Sequence, residues 1–193
     1  MWVVKLGGSL NGDPNLAQWL DLLDRYGGGR VALVCGGGAF ADEVRRLHSL
    51  WQVEELPAHN MAVLAMVQTA YLVQGINPRL QLACNESELH AVLRAGRAAV
   101  WLPFDRLSSS PNADANWEVS SDSIALDLAR RLNAERLVVV KSCAVRPGLS
   151  MTELSSGGVL DARFPHWAAG VSFPIDVVQR EHIARVRDWL MAG

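Results

Sequence analysis

Short apolar runs alternate with stretches of helical periodicity along the chain, and several of the runs end in glycine. Residues 3–6 are apolar apart from Lys5 and are stopped by Gly7-Gly8, which predicts a buried strand. Asp13-Pro14 opens a stretch with Leu16, Trp19, Leu20 and Leu23 at helical spacing, closed by Gly27-Gly28-Gly29. Residues 31–35 predict a second buried strand, stopped by Gly36-Gly37-Gly38, with a helix over about 39–47. Residues 59–73 hold the longest unbroken helical pattern, ending at Gly75, and 86–93 predict another helix. Residues 98–102 read as a third strand, and 103–116, rich in Ser, Asn, Asp and Pro, as one long loop. A helix over 124–132 leads into a fourth strand at 137–140, whose lack of alternation predicts cover on both faces. Residues 142–172 are poorly periodic, and 177–190 read as a helical tail. Strands separated by helices predict an α/β fold: a three-layer α/β/α sandwich with a mostly parallel central sheet.

Composition narrows the class. With 193 residues, 50% hydrophobic and 20% charged, the chain is expected to form a single globular domain over 1–193. A formal charge of −2 provides no basic field, which argues against a nucleic-acid coat or an anionic-membrane binder. No apolar run approaches the ~20 residues of a membrane span, and the N-terminus lacks the pattern of a secretory signal. Three widely spaced cysteines, Cys35, Cys84 and Cys143, suit neither a disulfide framework nor a zinc site. Cys35 and Cys143, beside strands, are expected to be inert buried thiols. A cytoplasmic protein is expected.

Candidate chemistry gathers at the ends of the strands. In an open parallel sheet, ligands bind at the carboxyl edge, where both glycine clusters fall. Glycine allows close backbone approach, and bare amides at a helix start can cradle phosphate; either cluster alone is equally consistent with a tight turn. Lys5 is the one charge in its strand and is expected to present its ammonium to that cradle, the alternative being an edge lysine that snorkels. Ser120-Ser121-Asp122-Ser123 opens the helix before the fourth strand, where any of the first three would also serve as a plain N-cap. Phosphoryl transfer asks mainly for cations, amides and a carboxylate to fix the cations, and these residue types meet that need. Tryptophans 101, 117 and 167 could stack on a ring substrate, or simply fill the core.

Val4-Lys5-Leu6-Gly7-Gly8-Ser9, then Val34-Cys35-Gly36-Gly37-Gly38-Ala39-Phe40, then Ser121-Asp122-Ser123 before a helix and strand, resemble as an ordered set the amino acid kinase superfamily. That superfamily includes acetylglutamate, aspartate, uridylate and isopentenyl phosphate kinases. Phe40-Ala41, His59 with Met61-Ala62, Leu102-Pro103, Trp117 and Phe173-Pro174 make the chain most similar to the small aminomethylfuran phosphate kinase-like members of methanofuran and C1-carrier biosynthesis.

The resemblance implies an amino acid kinase fold and a cytoplasmic kinase using ATP and Mg2+. Its acceptor would be a small phosphorylated or carboxylated molecule, and a homo-oligomer is expected. Lys5 would bridge donor and acceptor phosphates. Gly7, Gly8 and Ser9 would form the first phosphate loop, and Gly37 and Gly38 the loop facing the acceptor. Asp122 would organise the catalytic lysines, with His59, Trp117 and Ser121 on the acceptor side. Relatives carry a Thr-Asp or Ser-Asp pair after the fourth strand, whereas this chain reads Lys141-Ser142-Cys143-Ala144-Val145, and the late second lysine has no counterpart. The nucleotide-side half is thus shortened from about residue 120. Ser142 is expected near the nucleotide phosphates, and Lys141 supplies the missing cation or else pairs with Asp122 or Asp161. The implied function is phosphorylation of a phosphomonoester such as aminomethylfuran-methyl phosphate. The alternatives are a kinase of another phosphomonoester or of an amino-acid carboxylate, or a non-catalytic phosphate- or nucleotide-binding protein.

Overall fold

The computed structural model describes residues 1–110 and 119–192. Its six strands are β1 (Trp2–Leu6), β2 (Val31–Cys35), β3 (Gln81–Ala83), β4 (Ala99–Trp101), β5 (Arg136–Lys141) and β6 (Ile175–Gln179). They form one sheet in the order β3-β4-β2-β1-β5-β6, and every pairing is parallel. The helices are α1 (Asn15–Tyr26), α2 (Gly38–Trp51), α3 (Glu55–Ile76), α4 (Glu86–Arg94), α5 (Ser121–Arg131), α6 (Met151–Ser156), α7 (Phe164–Ala168) and α8 (Ile183–Ala192).

Side chains alternate across a strand, so each central strand feeds two cores. Val4 and Leu6 pack with Trp19, Leu20, Val67 and Leu190 of α1, α3 and α8. Val3, Val34 and Val139 pack with Leu89, Ile124, Leu128 and Phe164 of α4, α5 and α7. Three layers result, because strands apolar on both faces must be covered on both. Fully buried leucines such as Leu33 and Leu126 each contribute roughly 1.5–3 kcal/mol of apolar burial. No helix among the described residues is long and apolar enough to cross a membrane.

Four features depart from the sequence reading. The tail is not one helix: Val177 and Val178 lie in β6, which pairs with β5, and α8 starts only at Ile183. The five residues of β6, Ile-Asp-Val-Val-Gln, are too short and too mixed to be told from the helical pattern that follows by period alone. β3 has only three residues and is paired with β4, too short to leave a periodic signal. The stretch 142–172 contains α6 and α7, and α6 is opened by a capping box in which Ser150 and Glu153 satisfy each other's backbone amides. Cys143 is exposed, while Cys35 is buried and its thiol is pushed up to about 12 by that burial, against the pull of Lys5.

Candidate active site

Period-two alternation puts Lys5 on the same face as Val3, toward α5, and Lys141 on the same face as Val139. β1 and β5 are neighbours with Lys5 opposite Val139, so Lys141 sits one diagonal step further toward the carboxyl edge. The first turn of α5 arrives over both. Ser120 is its N-cap, with Oγ accepting from the Asp122 amide at 3.2 Å. Asp122 is therefore not the cap, and its carboxylate is turned to the sheet. Oδ1 accepts from Lys5 Nζ at 2.5 Å and Oδ2 from Lys141 Nζ at 2.7 Å. Of the two expected partners for Lys141, the structure selects Asp122.

This cluster lies almost out of solvent, with Lys5 3% and Asp122 2% exposed. Burial alone would push the Asp122 carboxyl up, but Lys5 and Lys141 together outweigh it and hold the group below its usual range. Burial lowers the Lys5 ammonium from its ordinary value, and Lys141 adds to this, against the pull of Asp122. Two ammonium groups share one carboxylate, so one positive charge is left without a counter-ion within the triad. An anion is what such a site accepts most readily.

The glycine turns meet beside it. A side chain on Gly8 would put its Cβ 2.1 Å from the Gly38 amide nitrogen, and one on Gly36 would reach 2.5 Å from the Gly8 nitrogen. Gly38 also has φ +55, a conformation that suits glycine. The two turns thus touch backbone to backbone. Ser9 Oγ lies 2.6 Å from Ser142 Oγ, which ties the first turn to the end of β5. Gly38 starts α2, whose first amides lack intrahelical partners, a setting that favours anions. Gly8→Ala should consequently lower stability by about 1–3 kcal/mol through overpacking. Gly75→Ala, in α3 with nothing within 4 Å of its Cβ, should instead stabilise by roughly 0.5–1 kcal/mol. Thermal unfolding of the two variants checks both signs.

A cavity of about 370 Å³ opens between α2, α3 and the start of α5. Gly37 and Ser121 line it together with the apolar Ala41, Val63, Met66 and Ile124. Arg45, His48, Glu55 and His59 also line it. His59 is buried and has Nε2 3.0 Å from the Arg106 carbonyl oxygen, so this nitrogen carries the proton and donates. Trp101 is a core residue, Trp167 packs against the core, and Trp117 lies outside the described residues.

Three contributors escaped the sequence reading. Arg45 and His48 sit on an amphipathic helix among Asp42, Glu43 and Arg46, a pattern indistinguishable from an ordinary solvated face. Asp161, expected as an alternative partner for Lys141, instead accepts hydrogen bonds from Ser120 and Ser123 at the start of α5. Among the described residues no group of three or more His, Cys, Asp or Glu could hold a metal ion, and both Asp122 oxygens are engaged by ammonium groups.

Comparison with known proteins gives a consistent picture. The sequence model of the amino acid kinase family matches residues 1–144. The [5-(aminomethyl)furan-3-yl]methyl phosphate kinase of Methanocaldococcus jannaschii is 25% identical over 142 residues, which is 72% of this chain. The match covers 64% of that relative's own length. Uridylate kinase from Archaeoglobus fulgidus superposes with a TM-score of 0.71 at 16% identity, over 97% of this chain and 95% of its own. UMP kinase from Bacillus anthracis gives 0.68 at 16% identity, over 100% and 92%. At these identities the two structures speak for the fold.

Proposed function

The chain belongs to the amino acid kinase family, and from that premise we propose that it is a cytoplasmic small-molecule kinase acting on a phosphomonoester. The preferred acceptor is an aminomethylfuran-methyl phosphate of C1-carrier biosynthesis, the molecule that the Methanocaldococcus relative is named for. One observation carries this reading: the Lys5–Asp122–Lys141 cluster stands at the carboxyl edge of the sheet, where Ser121 leads into a cavity lined by Arg45, His48 and His59.

Mg-ATP, when bound, supplies a transferable phosphoryl group and a cation to spread its charge. The triad suits a polyphosphate, because it carries excess positive charge at the carboxyl edge of the sheet, from which the glycine turns lead off. Mg2+ would be held chiefly by phosphate oxygens, a common arrangement for that ion. Lys5 offsets the negative charge shared by donor and acceptor, and Lys141 does so from the donor side beside Ser9 and Ser142. Asp122 holds both ammonium groups at a fixed separation, so that no reorganisation is needed as charge moves. Gly37 and the first turn of α2 orient the acceptor phosphate, while the apolar walls exclude water from its ring. A phosphate acceptor is already ionised at neutral pH, so the chain needs no general base.

The test is ADP release from Mg-ATP with aminomethylfuran-methyl phosphate, UMP, isopentenyl phosphate and N-acetylglutamate offered separately. Turnover confined to the furan phosphate supports the reading, and turnover confined to another acceptor overturns the substrate. A second reading, a phosphate- or nucleotide-binding protein without transfer, is favoured by Lys141-Ser142-Cys143-Ala144, which holds no acid where the resemblance implies one. It predicts a ligand-induced rise in melting temperature with no ADP. Lys141→Met should weaken ATP binding about ten- to a hundredfold, the range for losing one charge-assisted hydrogen bond, and should lower turnover with it. Unchanged affinity and turnover would remove Lys141 from the phosphates.

A further inference from the structure

Asp161 lies beyond residue 144, where the family match ends, and between α6 and α7. Its carboxylate accepts six hydrogen bonds. Oδ2 takes the Ser120 amide at 3.1 Å, the Ser120 hydroxyl at 2.7 Å and the Ser123 amide at 3.0 Å. Oδ1 takes the Ser123 hydroxyl at 2.6 Å and the amides of Arg163 and Phe164 at 3.1 and 3.0 Å. Phe164 is fully buried in the core beneath α5, so this carboxylate is anchored from below while it grips the first turn of the helix above.

We propose that Asp161 is a positioning residue for phosphoryl transfer, acting through Ser120 and Ser123 to fix where α5 delivers the Asp122 carboxylate. The proposal rests on the reading above that Asp122 sets the two ammonium groups. A plain N-cap is already present, since Ser120 Oγ accepts from the Asp122 amide. What Asp161 adds is orientation. By accepting the Ser120 hydroxyl proton it turns that oxygen's lone pairs toward the Asp122 amide. By holding Ser123 on two atoms it stops the first turn from sliding along the sheet. Asp122 has no slack to absorb such a slide, because each of its oxygens meets a different lysine. The segment after β5 thereby contributes to the site without touching a substrate.

The experiment compares Asp161→Asn with the intact protein. Asparagine keeps the volume and one acceptor, but its NH2 faces donors. Turnover is expected to fall about 10- to 100-fold, since misplacing a reacting group by about 1 Å can cost about 100-fold, while the acceptor KM changes less than about threefold. In an Asp122→Asn background the same substitution should cost little more, because Asp161 acts through Asp122. A purely structural role would instead add its full effect there, and that result overturns the proposal, as does wild-type turnover in a folded Asp161→Asn protein.

A readout free of activity separates this from the kinase reading. The Lys5 side-chain ammonium, shielded and bonded to Asp122, is followed by 15N NMR, and its resonance should shift in Asp161→Asn. An unmoved signal overturns the proposal even where no acceptor is turned over. An intact protein that releases no ADP with any acceptor overturns the kinase reading instead. Should Asp161→Asn fail to fold, Ser120→Ala and Ser123→Ala each remove one hydroxyl from the same carboxylate. Each is expected to lower turnover about tenfold, the low end for a single hydrogen bond to a charged group, and silence of both counts against the proposal.

Discussion

Lys5→Met is expected to lower turnover by about 100- to 1,000-fold, the effect of removing one preorganised group that stabilises developing charge. Methionine keeps the apolar stem on β1 and fills a comparable volume, so the change isolates the ammonium. Stability should barely move. Asp122 keeps Lys141 at 2.7 Å and is not left as a lone buried carboxylate. The lost ammonium was itself disfavoured by burial, which lowers it from the ordinary lysine value of 10.5. For the same reason, turnover of the intact protein should begin to fall on the alkaline side at a pH below that ordinary value. Steady-state kinetics across pH, with thermal unfolding of the variant, checks both parts. A folded Lys5→Met protein with undiminished turnover would remove the centre of the mechanism.

Asp122→Asn should be costly in both activity and stability. It leaves two ammonium groups side by side with no carboxylate between them, and breaking a buried ion pair by removing one partner costs about 3–5 kcal/mol. In a chain of this size that corresponds to a fall in melting temperature on the order of 10 °C. Turnover should drop as well, because the two cations lose their fixed separation. Substitution of a mere helix cap by asparagine would be nearly silent, and the cap here is Ser120 in any case. The acid limb gives an independent check. The folded-state carboxyl of Asp122 lies below its ordinary value of 3.8, its burial being outweighed by Lys5 and Lys141. Its contribution is therefore fully present above about that ordinary value and is lost as pH falls through the lower folded-state value. The stability gap between the intact protein and Asp122→Asn should narrow on acidification from about pH 4 downward. A gap that stays constant to acid pH would mean that the carboxylate is not held by the lysines.

The central strands were legible because β1, β2 and β5 are apolar on both faces and stopped by turns or charge. Lys5 was legible for the same reason: a single charge in such a strand has few places to go. β6 was not, since its alternation is short and merges with the residues before α8. The pairing of Lys141 with Asp122 was one of three options on sequence, beside a pairing with Asp161 and a charge left for the phosphates, and needed the sheet order to bring the two residues together. Asp161 could not have been found from local pattern. Its importance lies in partners 38 and 41 residues earlier, brought close only when α6 and α7 fold back on α5. The cavity's Arg45 and His48 are likewise ordinary helix-surface residues until α3 packs beside them.

The contact between the glycine turns has a consequence for how this chain can evolve. At most tight contacts, a bulky replacement on one side can be suppressed by a smaller residue on the other. At positions 8, 36 and 38 that route is shut, because the atoms in the way are backbone and each partner already has the smallest side chain there is. Side chains that could be shortened do stand nearby, Asn11 at 2.3 Å from a Cβ on Gly38 and Ser121 at 3.1 Å from one on Gly36, but the Gly8 carbonyl at 2.4 Å and the Gly8 amide nitrogen at 2.5 Å would remain in the way. The three glycines therefore form one mutational unit spread over two turns. A selection for second-site suppressors of Gly8→Ala should return true revertants and backbone-shifting insertions or deletions in the turns, with no single compensating substitution at 36 or 38.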